Sequence, residues 1–350
     1  MSYSIKQLTS ADYPQWDDYV TKLNASTYLR SVWKTIIEQT FGHKTFYLYC
    51  TDSHGQIVGV LPLVQQKSLA FGNFLTSVPF FNYGGVVADS NAVTEQLLQA
   101  AQSLCQQIKA KHVELRMTQP LDESLPLIQA QNCRLDKVTM ILQLPETADD
   151  LWKSIGAKRR AQAKRPIREG AEFKVGGIEL LDDFYQVFAR NMRDLGTPVY
   201  SKKLFHNILT CAQCQSFLAL VYIKGIPVGA GFLVQDNQRL EIPWASTNRD
   251  YNRFGVNMFM YWKILEHAFT LGISEFDFGR SSVDAGTLKF KKQWGGEQEQ
   301  LYWYYLLPEG EVLQPISNSN SKFQLMINLW QKLPLPIANF IGPHVVKNIP

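Results

Sequence analysis

FYLYCTDSHGQIVGVLPLV (residues 46–64) and FLALVYIKGIPVGAGFLV (residues 217–234) share one plan. Each has an apolar strand-length run, a turn (His54-Gly55 in the first) and a second apolar run, which is the alternation and turn chemistry of a β-hairpin. Gly59, in Ile57-Val58-Gly59, corresponds to Gly229, in Pro227-Val228-Gly229. The repeat extends beyond the hairpins. Apolar positions Leu97, Leu98, Ala101, Leu104, Cys105 and Ile108 predict a helix over about residues 93–110, leading to a strand at Val113-Glu114-Leu115-Arg116. In the second copy a helix over about 256–270 leads to Glu275-Phe276-Asp277-Phe278. The chain therefore reads as two related α/β halves.

A hairpin, a helix and a further strand is the core order of the GNAT acyltransferase fold, and two copies argue for it more strongly than one. Chance likeness between two mixed α/β units is the alternative. The expected fold class is α/β (α+β): two tandem GNAT-like domains, each a mixed central sheet flanked by helices. The length of 350 residues suits two domains. Pro145 closes a strand, and the residues after it offer caps for the next helix. The expected division is a first GNAT-like domain over 1–145, a second over 146–310, and a C-terminal tail with an amphipathic helix over 311–350.

The composition, 45% apolar and 19% charged, predicts compact folding and excludes a disordered or collagen-like chain. The net charge of +4 is too small to argue for nucleic acid or acidic lipid. MSYSIKQLTSADYPQW has neither a basic n-region nor an apolar h-region, and no run reaches the length of a membrane-spanning helix. A cytoplasmic protein is expected, with peripheral contact at the inner face of the membrane as an option. Five scattered cysteines suit reduced thiols. Cys211 and Cys214 form a CxxC without a second pair or nearby histidines, so two buried helical thiols are expected and no metal site.

Charge concentrates in one place. Residues 153–174 carry eight basic and two acidic side chains, leaving the rest of the chain slightly acidic. A solvated helix face is the plain reading. Against it, balancing acids at i,i+4 are nearly absent and Pro166 interrupts the helix, so Lys158, Arg159 and Arg160 are also candidates for binding phosphate oxygens. A diphosphate-linked or RNA-linked substrate would meet that need.

The densest polar segment is EFDFGRSSVDAGTLKFKKQWGG (275–296), where a strand delivers Asp277, Gly279 and Arg280 to a loop that leads on to Lys289, Lys291 and Lys292. A lysine there could neutralise the oxyanion of acyl transfer, and Asp277 could accept a proton or orient an amine. A capped turn with exposed lysines is the alternative. The triplet Asp277-Phe278-Gly279 is not a kinase signature, because no Gly-rich loop or HRD segment precedes it. In the second half, Arg253, Gly255 and Asn257 open a helix whose amides could cradle a donor pyrophosphate. With one glycine the loop falls short of the RxxGxG/A pattern of acyl-CoA-binding GNAT enzymes.

IVGVLPL (57–63), FNYGG (81–85), VELRM (113–117), RDLGTPVY (193–200) and FDFGRSSVDAGTLKFKKQWGG (276–296) together resemble FemAB-like (Fem-type) acyltransferases, especially the group associated with exosortase and PEP-CTERM systems. The resemblance spans most of the chain. It implies transfer of an aminoacyl or other acyl group to an amine on an envelope or exopolysaccharide precursor, without a metal, a covalent enzyme intermediate or a permanently bound cofactor. By position it implies that Lys291 stabilises the oxyanion; Asp277 and Arg280 join it as catalytic candidates from the reading of their segment. It also implies substrate-phosphate contacts at Lys158, Arg159 and Arg160 and a cleft border at Tyr200; Lys289, Tyr83 and Trp294 are further candidates for binding substrate. The donor would be aminoacyl-tRNA or acyl-CoA, and tRNA and a phosphate-bearing or lipid-linked precursor would be partners. The long helical hairpin that helps some Fem enzymes engage RNA is missing. The first half has no lysine-rich loop after Glu114-Leu115-Arg116, which reads as a degenerate copy forming one wall of a cleft. An acyl-CoA-dependent enzyme for a small amine and a non-catalytic glycan- or lipid-binding protein are the competing readings. The tail (321–350) has helical apolar spacing broken by Pro334, Pro336 and Pro343, for packing or for a membrane surface.

Overall fold

The computed structural model describes residues 2–308, 310, 311, 313 and 321–349, so the tail expected from residue 311 lies partly outside the described residues. In chain order the elements are β1 (Ser4–Gln7), α1 (Tyr13–Lys22), α2 (Ser31–Phe41), β2 (Lys44–Thr51), β3 (Ile57–Ser68), β4 (Gly72–Thr76), β5 (Val87–Ala88), α3 (Asn91–Gln107), β6 (Val113–Met117), β7 (Cys133–Arg134) and β8 (Lys137–Gln143). Next come α4 (Ala148–Ser154), α5 (Ala157–Lys164), β9 (Ala171–Gly176), α6 (Leu181–Leu195), α7 (Lys202–Leu209), β10 (Ser216–Ile223), β11 (Ile226–Asp236), β12 (Arg239–Thr247), α8 (Val256–Thr270), β13 (Glu275–Asp277) and β14 (Ser281–Ser282). The last are α9 (Gly286–Lys292), β15 (Glu297–Gln300), β16 (Tyr302–Leu306), α10 (Ser321–Gln331) and α11 (Leu335–Val346).

These form two compact units, neither of them a continuous segment. Unit 1 contains residues 1–138, 300–316 and 347–350, and unit 2 contains 139–299 and 317–346. Among the described residues the sheet of unit 1 runs β1-β2-β3-β4-β6-β16-β7, with β5 on β3. The second sheet runs β14-β8-β13-β12-β11-β10-β9, with β15 on β8. Strand β8, expected to close the first domain, thus pairs with β13 in the second sheet, at Ile141↔Asp277. Strand β16, expected in the second domain, pairs with β6 in the first, at Trp303↔Arg116. Each unit completes its sheet with a strand from the other half of the sequence. The division at residue 145 therefore becomes 139–145 with unit 2 and 300–310 with unit 1.

The repeated hairpins have a repeated physical cause. Both carry a bulge on the strand after the turn, at Val58 opposite Cys50/Thr51 and at Val228 opposite Val221/Tyr222. The next residue in each is the matched glycine. A Cβ on Gly59 would lie 2.6 Å from Val93, in the first turn of α3, and one on Gly229 would lie 2.9 Å from Val256, in the first turn of α8. Glycine lets the helix sit directly on the sheet, so the repeated glycine marks the helix–sheet contact itself. The second hairpin turns on Lys224 (φ 53°) and Gly225 (φ 76°), the paired positive φ of a type I′ turn.

Helix α3 puts Val93, Leu97, Leu98, Ala101 and Cys105 against Leu61, Leu63, Leu75 and Leu115 of the sheet. Truncating a central residue such as Leu97 to alanine would cost about 2–5 kcal/mol. The expected helix at 256–270 is α8. Helix α4 starts where the sequence placed caps: the Thr147 side chain accepts from the Asp150 amide. Pro166 ends α5 at Lys164 and begins a 3₁₀ turn (Arg165–Glu169), since it cannot donate into the helical ladder. Cys211 and Cys214 lie beyond α7 in a turn, not in a helix, and none of the five cysteines is disulfide-bonded.

Candidate functional site

In the second sheet β12 and β13 run parallel and in register at Arg239↔Glu275, Leu240↔Phe276 and Glu241↔Asp277. There they part. Strand β12 continues alongside β11 to Thr247, whereas the Phe278 amide turns to donate to the Met140 carbonyl on β8. The parting is sharpened by a bulge, with Ile242 and Pro243 facing Leu233 alone. A V-shaped gap at a parallel strand end results, the usual place for a site in α/β proteins.

Two carboxylates sit at its vertex. Asp277 is fully buried, and its Oδ1 accepts from Thr139 Oγ1 (2.8 Å) and from the Gly279 amide (2.8 Å). Glu241 is buried across from it. Lys291, 7% exposed on α9, reaches back so that Nζ donates to the Gly279 carbonyl (2.6 Å) and the Arg280 carbonyl (3.1 Å). Burial pushes its ammonium down to about 8, with Arg280 acting in the same direction and Asp277 and Glu241 opposing. The turn 277–280 is thus held from both sides, its amide by Asp277 and its carbonyls by Lys291. Farther along β12, Asn191 Nδ2 donates to Ser246 Oγ (3.1 Å), and Tyr200 meets Trp244 edge-on at 6.1 Å.

The structure brings Lys291, Asp277 and the Arg280 backbone together at this turn. The other candidates lie elsewhere in the fold. Trp294 is a core residue, 6.2 Å from the Tyr261 ring, and Lys289 is exposed on α9. Arg159 Nη1 donates to the Ile155 carbonyl (3.0 Å) and Arg160 Nη1 to the Lys153 carbonyl (2.9 Å), so both cap the C-terminal end of α4. Lys158 remains exposed. At the start of α8, Gly255 takes φ 84°, and a Cβ there would lie 2.7 Å from the Gln162 carbonyl of α5. Helix α5 therefore packs directly beside Gly255 at the start of α8. Arg253 lies over the Phe254 ring at 4.7 Å, and Asn257 is half-buried. Sequence reasoning missed Glu241, whose signal was an acid inside the apolar strand Leu240-Glu241-Ile242. It also missed Thr139, which reaches Asp277 only because β8 belongs to this sheet.

Unit 1 has the same strand pair without the gap. β4 and β6 run parallel to Thr76↔Glu114. Beyond that, the Ser77 amide donates to the Glu114 carbonyl (2.8 Å), the Arg116 amide to Ser77 Oγ (3.0 Å) and the Gly84 amide to the Arg116 carbonyl (2.9 Å). The loop Ser77–Gly84 fills the space. Tyr83 is buried in that loop, and Glu114 is neutralised internally by Arg116 Nε (2.7 Å) and Tyr305 OH (2.9 Å). A groove of about 600 Å³ lies elsewhere on unit 2, lined by Trp152, Lys164, Phe173, Trp262 and Lys263.

Residues 157–292 match the acetyltransferase (GNAT) domain family. Over nearly the whole chain the structure superposes on that of FemX, with a TM-score of 0.63, 14% identity, and 94% of this chain and 100% of that one covered. The chain has a tandem, Fem-like GNAT fold. A tandem GNAT protein from the clavulanic acid biosynthesis pathway is also similar, with a TM-score of 0.60, 10% identity, and 88% and 100% covered. So is the C-terminal domain of a putative lysylphosphatidylglycerol synthetase from Agrobacterium fabrum, with a TM-score of 0.56, 13% identity, and 85% and 92% covered. At these identities the likeness is one of fold. Comparison of the sequence with curated proteins gives no match. In this tandem GNAT chain the matched domain contains the parting strands β12 and β13 with Glu241, Asp277 and Lys291.

Proposed function

We propose that this protein is an N-acyltransferase that joins an aminoacyl or other acyl group to an amine of a cell-envelope or exopolysaccharide precursor, with the reaction in the gap of unit 2. The observation that carries the reading is the contrast between two equivalent strand pairs. One ends its pairing at a buried vertex holding Glu241, Asp277 and Lys291, and the other is continued by its own loop. The attacking amine must be neutral, and Glu241 is the carboxylate assigned to take its proton; as the C–N bond forms, the donor's ester or thioester bond breaks, and the leaving oxygen or sulfur departs as the alcohol or thiol with that proton. Asp277, committed to Thr139 and Gly279, positions the turn. Lys291 uses two of its three N–H groups on that turn, and the third is assigned to the carbonyl oxygen of the donor, where negative charge develops.

The envelope acceptor is supported by the likeness to FemX and to a lysylphosphatidylglycerol synthetase domain, and by the sequence resemblance to Fem-type proteins of exosortase and PEP-CTERM systems. The sequence resemblance to Fem-type proteins favours an aminoacyl ester such as aminoacyl-tRNA as the donor. The GNAT domain match favours acyl-CoA, which stands as the second reading.

Purified protein incubated with labelled aminoacyl-tRNA or acetyl-CoA and amine-bearing envelope precursors should transfer label, and Glu241→Gln should lower kcat by about 100-fold or more. Transfer at the wild-type rate by Glu241→Gln would sink the site. Saturable binding of coenzyme A, displaced by acetyl-CoA, would replace the first donor with the second.

A further inference from the structure

Helices α10 and α11 pack on α6 and on the loop after it. Arg193 Nη1 donates to the Leu333 carbonyl (2.9 Å) and Gln331 Nε2 to the Asp194 carbonyl (3.2 Å). A Cβ on Gly196 would come within 2.5 Å of Ile327, and one on Gly342 within 2.9 Å of Val199. Past α11, His43 Nε2 bonds the Lys347 carbonyl (2.7 Å) and Gln66 Nε2 donates to the Ile349 carbonyl (3.0 Å). The pair is fixed in place, yet its apolar residues are the wrong way round for a helix docked on a core. The inward positions of α11 are Ala338, Gly342 and Val346, mostly small, while Ile337, Phe340 (75% exposed) and Ile341 face outward. On α10 the outward residues are Leu325 (59%), Met326 (62%) and Leu329 (57%). Soluble surfaces scatter such residues singly, and six within two short consecutive helices make a contact surface.

What covers it is indicated by charge. From residue 312 to the end of the sequence there are three lysines, Lys322, Lys332 and Lys347, and no Asp or Glu. No helix among the described residues is long and apolar enough to cross a membrane. Outward apolar residues on each of two acid-free helices, with exposed Lys332 between them, match the interface of an anionic bilayer with the helices lying in its plane.

We propose that α10 and α11 form a membrane-surface dock through which this protein binds anionic lipid headgroups, inserting Leu325, Met326, Leu329, Ile337, Phe340 and Ile341 to the depth of the acyl boundary. The dock is independent of the reading of the transferase gap, since vesicle binding is measured without any substrate.

The test is co-sedimentation of the full chain with vesicles of phosphatidylethanolamine plus phosphatidylglycerol, and with vesicles of phosphatidylcholine alone. Binding to the first is expected, weaker on the second and weakened by salt. Leu329→Glu with Phe340→Glu should reduce it at least about tenfold with the circular dichroism spectrum and the monomer mass unchanged. Phe340→Ser alone, a milder change at an exposed site, should give an intermediate loss. The proposal is overturned if wild-type protein stays in the supernatant with both vesicles. Equal binding by the glutamate variant would overturn it as well. So would a wild-type dimer that the variant converts to monomer, because the surface would then belong to a second copy of the chain.

Discussion

Replacing Lys291 with methionine keeps the length of the side chain and removes the charge, which separates what the ammonium contributes from what its burial costs. In the folded chain burial lowers Lys291 from 10.5 to about 8. Below pH 8 the folded and unfolded chains both hold the proton. Between about 8 and 10.5 the unfolded chain binds more, so stability through this group rises with pH. At 1.36 kcal/mol per unit, the rise from pH 7 to pH 10 is about 2.5 kcal/mol, and the methionine variant cannot show it. The variant also loses two charge-assisted hydrogen bonds to the Gly279 and Arg280 carbonyls and leaves Asp277 and Glu241 without their buried cation. That makes it less stable than wild type at pH 7 by about 3 kcal/mol. Urea unfolding of both proteins at pH 7 and pH 10 gives four free energies. The gap between wild type and variant should widen by about 2.5 kcal/mol, from about 3 to about 5.5 kcal/mol, at the higher pH. Other groups, including tyrosines raised by burial, titrate alike in both proteins and cancel in the difference. A gap that stays constant or narrows with pH would refute the claim that Lys291 is a desolvated cation pinned to the turn.

Gly255→Ala puts a Cβ against the Gln162 carbonyl at a positive φ, so it should lower stability by about 2–3 kcal/mol, read by thermal unfolding. A variant as stable as wild type would show that α5 does not seal the start of α8. Arg160→Ala removes two carbonyl caps from α4 and should cost about 1 kcal/mol of stability while KM for either substrate holds steady. A large rise in KM at unchanged stability would return Arg160 to substrate binding. Thr139→Val deprives Asp277 of its buried hydroxyl donor, and should cost about 1–3 kcal/mol and lower kcat more than it raises KM. Glu114→Gln, in the filled counterpart of the site, should destabilise unit 1 through Arg116 and leave kcat within about twofold of wild type.

The internal repeat, the class of each long element and the segment that supplies the vertex were all legible in the sequence. The hairpins show through period-two alternation, α3 and α8 through their 3.6-residue spacing, and 275–296 through polar residues gathered after an apolar strand. Even the repeated glycines carried information, since Gly59 and Gly229 are where a helix touches its sheet. These are local properties, written in a few consecutive residues.

Strand partners are another matter. The alternation in Lys137–Gln143 and Tyr302–Leu306 says that each is a strand and which face is apolar, but every strand offers the same backbone donors and acceptors to any edge. Only the assembled sheets decided that β8 pairs with β13 and β16 with β6. The same limit hid Glu241 and Thr139, which become neighbours of Asp277 through cross-strand register. It likewise turned Arg159 and Arg160 from free cations into helix caps. Sequence alone determined that two GNAT-like cores exist and where their chemistry-bearing residues lie along the chain. Tertiary structure decided in which core the strands part, because one strand pair is bridged by a side chain and a loop amide and the other is held apart by a bulge.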